Sequence, residues 1–364
     1  MASPNQQPWI RSRQFDVCFI LAPAFATSFF VLFFRHWLQP YAEVGPVAWL
    51  MLVVGIDVAH VYSSLFRTYL DRNLKARPLL WQVPLVCWVI GALLYSVRPE
   101  IFWSGLAYFA VFHFVRQQYG FVMIYSRFEK HTRLSRALNQ LVIYAATVYP
   151  LLYWHSHLPR RFVWFIEGDF FFAVPASVTS TFGWIEVALL SIYAAREIRA
   201  YWFHKSFNLP RNLLILGTLA SWTIGIVSLN NDLAFTITNV ISHGIPYVAL
   251  LWHYGNRKDP TPGFKILRQN LFCARWVPIF LGLLLLLSYL EEGLWDGLVW
   301  RDHLQLFPQF AALPILTDSN LLVVLVPFLA LPQATHYLFD AFLWRSTGTD
   351  NGWKSILSGA GDLK

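Results

Sequence analysis

Four apolar stretches of this 364-residue chain carry the side chains that lipid normally excludes. Asp57 and His60 lie in VGIDVAHVYSSLF, and His113, Arg116 and Gln117 in YFAVFHFVRQQYG. His243 lies in NVISHGIPYVALLW, and His336 and Asp340 in PQATHYLFDAFLW. An ionisable group inside an apolar span is expensive, so its default reading is a functional site. A set of histidines with carboxylates is the kind of set that holds a metal. The pairs Asp57/His60, His113/Gln117 and His336/Asp340 are spaced i,i+3 or i,i+4, which puts each pair on one helix face. Bundle-core metal sites use short-spaced ligands of this kind, projecting inward from facing helices. Imidazole with carboxylate suits iron, manganese or zinc better than a thiolate-preferring metal. The candidate ligands are His60, His113, His243 and His336, with Asp57, Asp340 and Gln117. Asp57, Arg116 and Asp340 are the candidate catalytic groups. Arg116 must be neutralised by Asp57, by Asp340 or by an anionic substrate headgroup.

The elements that position these residues are membrane spans. Charged residues are 13% of the chain and apolar ones 56%, against about 25% and 45–50% in soluble domains. Mean hydropathy is +0.45. Windows of about 20 apolar residues predict ten helices, near 15–37, 44–66, 79–97, 101–125, 138–156, 182–203, 213–230, 233–254, 271–290 and 320–344. The expected fold is therefore an all-α, polytopic transmembrane bundle, with residues 1–364 forming one integral-membrane domain. The aromatic segment 162–178 reads as interfacial or re-entrant.

Charge placement sets an orientation. With the N-terminus in the cytoplasm, 21 of the 28 basic residues fall on the cytoplasmic side. They include Arg67, Arg72, Lys75, Arg77, Arg127, Lys130, Arg196, Arg211, Lys258, Lys265, Arg268, Arg345, Lys354 and Lys364. The opposite loops hold Arg35, Arg98, Arg160, Arg161 and Arg301, with the acids Glu43, Glu291, Glu292 and Asp296. Both termini are then cytoplasmic, in a multi-pass cell-membrane protein. The net charge of +8 is explained by these loops, so nucleic acid is not an expected partner. Cys18, Cys87 and Cys273 show no disulfide or zinc-finger spacing. Gly-rich phosphate loops are absent.

A lone histidine in a span is ordinarily a hydrogen-bonded packing residue. Asp57 could serve only as counter-ion to Arg116, and Asp340 could pair with Arg67 or Arg345. His253 sits at a helix end, where solvation would explain it. Pro246 should kink its span beside His243 and free a carbonyl. Taken together, four histidines at compatible depth favour a metal or proton-handling site. The first functional expectation is a metal-dependent, iron-containing oxidoreductase or oxygenase acting on a lipidic or isoprenoid substrate from the bilayer.

The FHF run at Phe112–Phe114 and the His243–Gly244 pair resemble the Brp/Blh-like integral-membrane carotenoid-cleaving oxygenases. The resemblance implies oxygenase chemistry on an isoprenoid. It rests on short scattered matches, and the chain departs from the PHGxxD pattern, because Gly244, Ile245 and Pro246 follow His243 with no aspartate. Two alternatives come from other classes. One is a proton-coupled transporter, with Arg116 as an anion site. The other is a non-catalytic haem- or pigment-binding or assembly subunit, for example with His60 and His336 as paired haem ligands.

Overall fold

In the computed structural model, residues 7–39, 43–71, 78–129, 132–170, 172–257 and 271–343 are described. Ten of the basic residues used above for orientation lie outside them: Arg72, Lys75, Arg77, Lys130, Lys258, Lys265, Arg268, Arg345, Lys354 and Lys364. The described residues are mostly helical, with no strand among them. The long helices are α1 (Arg13–Phe33), α2 (Pro46–Phe66) and α3 (Leu79–Val97), then α4 (Pro99–Tyr125) and α5 (Arg133–Ser156). They continue as α6 (Ala176–Phe203), α7 (Leu209–Ser228), α8 (Asp232–Asn256) and α9 (Ala274–Trp300). The last are α10 (Ser319–Leu329) and α11 (Leu331–Leu343).

Seven of these helices are long and apolar enough to cross a membrane: α1, α2, α3, α6, α7, α8 and α9. The sequence-predicted span 320–344 is instead two helices, α10 and α11, bent by 41° at a break. Helices α4 and α5 are long, at 27 and 24 residues. They are not among the seven, since their polar side chains dilute their apolar character. The segment ahead of α6 is irregular and is held by Asp169, whose carboxylate accepts from the backbone N–H groups of Trp164 and Phe165.

Local chemistry explains where the helices begin. Ser12 caps α1 by accepting from Phe15 N–H, and Thr132 caps α5 by accepting from Ser135 N–H. Asn208 and Asp318 do the same for α7 and α10. Each side-chain oxygen satisfies a backbone donor that the first helical turn leaves open. Helix α9 runs further than the hydropathy pattern predicts. It carries Glu291, Glu292 and Asp296, expected in a loop, and buries Glu291 and Asp296. Gln333 donates to Glu291 at 2.7 Å, so the acid has a partner that a hydropathy window cannot register.

The chain divides into two compact units. The first comprises Met1–Val44 and Val111–Pro246, the second Gly45–Ala110 and Tyr247–Lys364. In the first, α5 packs on α6 and α7, and α7 on α1. In the second, α3 packs on α10 and α11, and α2 on α9 and α11. Apolar side chains point outward in both, for instance Trp184, Val187 and Ile192 on α6, and Trp81, Leu85 and Leu93 on α3. Polar ones such as Asn139, Thr147, Thr238 and Ser288 point inward. Such a surface suits a hydrocarbon solvent.

Candidate metal centre

In the first unit, His113 of α4 and His243 of α8 meet edge to face, with ring centroids 5.0 Å apart at 81°. Both are buried. The next residue on α4, Phe114, stacks flat on His243 at 3.6 Å and 11°. Trp164 meets Phe114 edge to face at 5.1 Å. Gln117, one turn after His113, donates through Nε2 to the His243 carbonyl at 2.9 Å. This bond ties the two helices together where their imidazoles meet.

In the second unit, His60 of α2 and His336 of α11 meet in the same way, at 5.0 Å and 78°. Both are again buried. Tyr247 completes a triangle of rings, 5.6 Å from His60 and 5.0 Å from His336, at steep angles to both. Edge-to-face contacts of this kind suit the ring quadrupoles. The Tyr247 hydroxyl donates to Asp340 at 2.7 Å. Asp57 stands 3.7 Å from His60 Nδ1, too far for a hydrogen bond but close enough to act on the imidazole. The nine residues Leu50–Val58 that lead into His60 are wound as a π-helix, a form that recurs at functional sites.

His60 and His336 in the second unit, and His113 and His243 in the first, are buried imidazoles of the kind that can hold a metal ion. A set of neutral imidazoles suits zinc, copper, iron or nickel. Comparison with protein-family models, with curated proteins and with solved structures finds no match to this chain.

The other sequence-predicted site residues have identifiable partners. Asp340 accepts from Tyr247, and Gln117 is engaged with backbone. Arg67 pairs with Asp71 at 3.4 Å, under the ring of Tyr254. Arg116 has no carboxylate partner among the described residues. It donates to the Tyr144 hydroxyl at 3.1 Å and lies over the Tyr119 ring at 5.0 Å. Ser63 and Ser64 bond backbone carbonyls of their own helix. His253 departs from expectation, being buried rather than solvated at a helix end. The roles of two participants escaped sequence reasoning. Tyr247 was unmarked in a chain that is 18% aromatic, and Phe114 entered only through the FHF run.

Proposed function

We propose that this chain is an integral-membrane, metal-dependent oxidoreductase in which the buried histidines, His60 with His336 and His113 with His243, hold iron. Its substrate is a lipidic or isoprenoid molecule that enters from the bilayer, with O2 as co-substrate. The observation that carries this reading is the presence of four buried histidines in helices otherwise faced with apolar side chains. His243 and Tyr247 stand one turn apart on α8, and the Tyr247 ring abuts both His60 and His336. When bound, iron would supply the redox chemistry that imidazoles alone lack.

The chain's own groups have the supporting roles. Asp57 would orient His60, a carboxylate–histidine arrangement common behind metal ligands. Phe114 covers one face of His243 and keeps water from it. A haem held between His60 and His336 is disfavoured, because the direct ring contact at 5.0 Å leaves no slot for a macrocycle. The proposed topology is ten spans with both termini cytoplasmic, supported by the bias of basic residues.

Elemental analysis and an absorption spectrum of the detergent-purified protein test this reading. Stoichiometric iron without a Soret band is the expected result. Metal-free protein, or metal content that survives loss of the histidines, would remove the proposal's foundation.

A further inference from the structure

Arg116 is set deep in a helix, with only neutral partners among the described residues. It lies seventeen residues after Pro99 and nine before Tyr125 in α4, about 26 Å and 14 Å along the axis. Tyr144, which accepts its hydrogen bond, is equally central in α5 (Arg133–Ser156). Neither end of the helix is within easy reach for snorkelling. Two other arginines inside the long helices are buried or half-buried, Arg196 and Arg211, and each has a carboxylate. Arg196 lies 2.8 Å from Glu197, and Arg211 lies 2.6 Å from the same residue. Arg116 alone of the three lacks one.

A guanidinium offers five N–H donors and no acceptor, and the Tyr144 hydroxyl takes only one of them. Arg116 is half-buried rather than sealed, so the remaining donors can meet a ligand. It also follows His113 by three residues, about 4.5 Å along α4 and about 60° round the helix. A ligand held there would lie beside the candidate metal centre.

We propose that Arg116, set by Tyr144 and Tyr119, binds the oxyanion head of an amphiphilic substrate, a carboxylate or phosphate on a long hydrocarbon tail. A planar fork of donors matches either oxyanion. The inference rests on the metal-centre reading only for what the anchored molecule is; the anchoring itself stands on Arg116. It also separates this chain from an enzyme for uncharged hydrocarbons, which would have no use for a cation at this depth.

The test is binding of cis-parinaric acid, a long-chain carboxylic acid that fluoresces when bound, against its methyl ester. The full-length protein is used in detergent, and metal content is read on the same samples. The wild type is expected to bind the acid about ten-fold or more tighter than the ester, the scale of hydrogen bonds to a charged group. Arg116→Gln is expected to bind acid and ester alike, with ester affinity and metal content within about two-fold of wild type. Arg116→Lys should keep part of the preference and guards against a folding defect. Competition by dodecyl phosphate against dodecanoic acid then tells which oxyanion is preferred, and a preference for either supports the anchor. Equal binding of acid and ester by the wild type overturns the inference, as does a preference that survives Arg116→Gln. Absence of metal with an intact acid preference would instead refute the iron reading and leave the anchor standing.

Discussion

The hydroxyl of Tyr247 donates to Asp340 at 2.7 Å, and this bond fixes a ring that touches two of the four candidate ligands. Tyr247 packs against both His60 and His336, so its ring limits how either imidazole can turn. Asp340 sits one turn beyond His336 on α11, which lets one helix supply both a ligand and the anchor of its neighbour. The ring and the hydroxyl therefore have separable roles.

Substitution separates them. Tyr247→Phe keeps the ring and loses the hydrogen bond, with an expected cost of about 1–3 kcal/mol in stability and metal retained. Tyr247→Ala removes the ring, and metal affinity should fall ten-fold or more, the scale found for supports behind ligands. Metal titration of the two purified variants distinguishes them. Equal affinity in both would show that the ring does not position the histidines.

Phe114 offers a parallel case in the first unit. Its flat stack on His243 makes it both packing and cover. Phe114→Ala should lower stability by about 3–5 kcal/mol, the range for removing a buried aromatic ring, and weaken metal retention during dialysis. Phe114→Leu should recover most of the stability but less of the retention. Dialysis at fixed chelator concentration, followed by elemental analysis, checks this.

Away from the candidate centre, Arg211 joins Glu197, Glu129 and Tyr193 where α6 and α7 meet the end of α4. Arg211 and Glu197 are both buried. Arg211→Met takes the shared guanidinium from Glu129 and leaves Glu197 with the Arg196 cation alone, and breaking one side of such a buried pair costs up to about 3–5 kcal/mol. A fall in thermal unfolding temperature with unchanged metal per folded molecule is the expected pattern. An unchanged unfolding temperature would mean that the network is solvated.

Close helix contact at Gly225 gives a steric test. A Cβ there would collide with the Thr238 hydroxyl and crowd Asn239 Nδ2 at 3.0 Å. Gly225→Ala should cost about 1–3 kcal/mol, the usual price of overpacking, and Thr238→Ala in the same chain should relieve much of it. Additive losses in the double variant would contradict the contact.

The sequence made the four histidines visible because a polar group in an apolar helix is costly enough to stand out. The helices carrying them were legible for the same reason, within a few residues at most ends. Three features were not. Glu291 and Asp296 looked like loop acids because hydropathy scores each residue without its partner, and Gln333 is forty-two residues away from Glu291. The break between α10 and α11 lies in an apolar run whose two prolines, Pro327 and Pro332, gave no clear boundary. Tyr247 was hidden because an aromatic ring inside a membrane helix is ordinary. Its role follows from what it touches. Arg116 was recognised as needing a counter-charge, but only the structure distinguishes Tyr144 from the acids proposed for it.

The most direct test of the metal reading takes one ligand from each histidine pair. Metal content per chain is measured in wild type, His60→Gln and His113→Gln, each purified without added metal. The reading predicts bound iron in the wild type and a clear loss of it on substitution. Metal-free wild type, or full metal content retained in both variants, would contradict it.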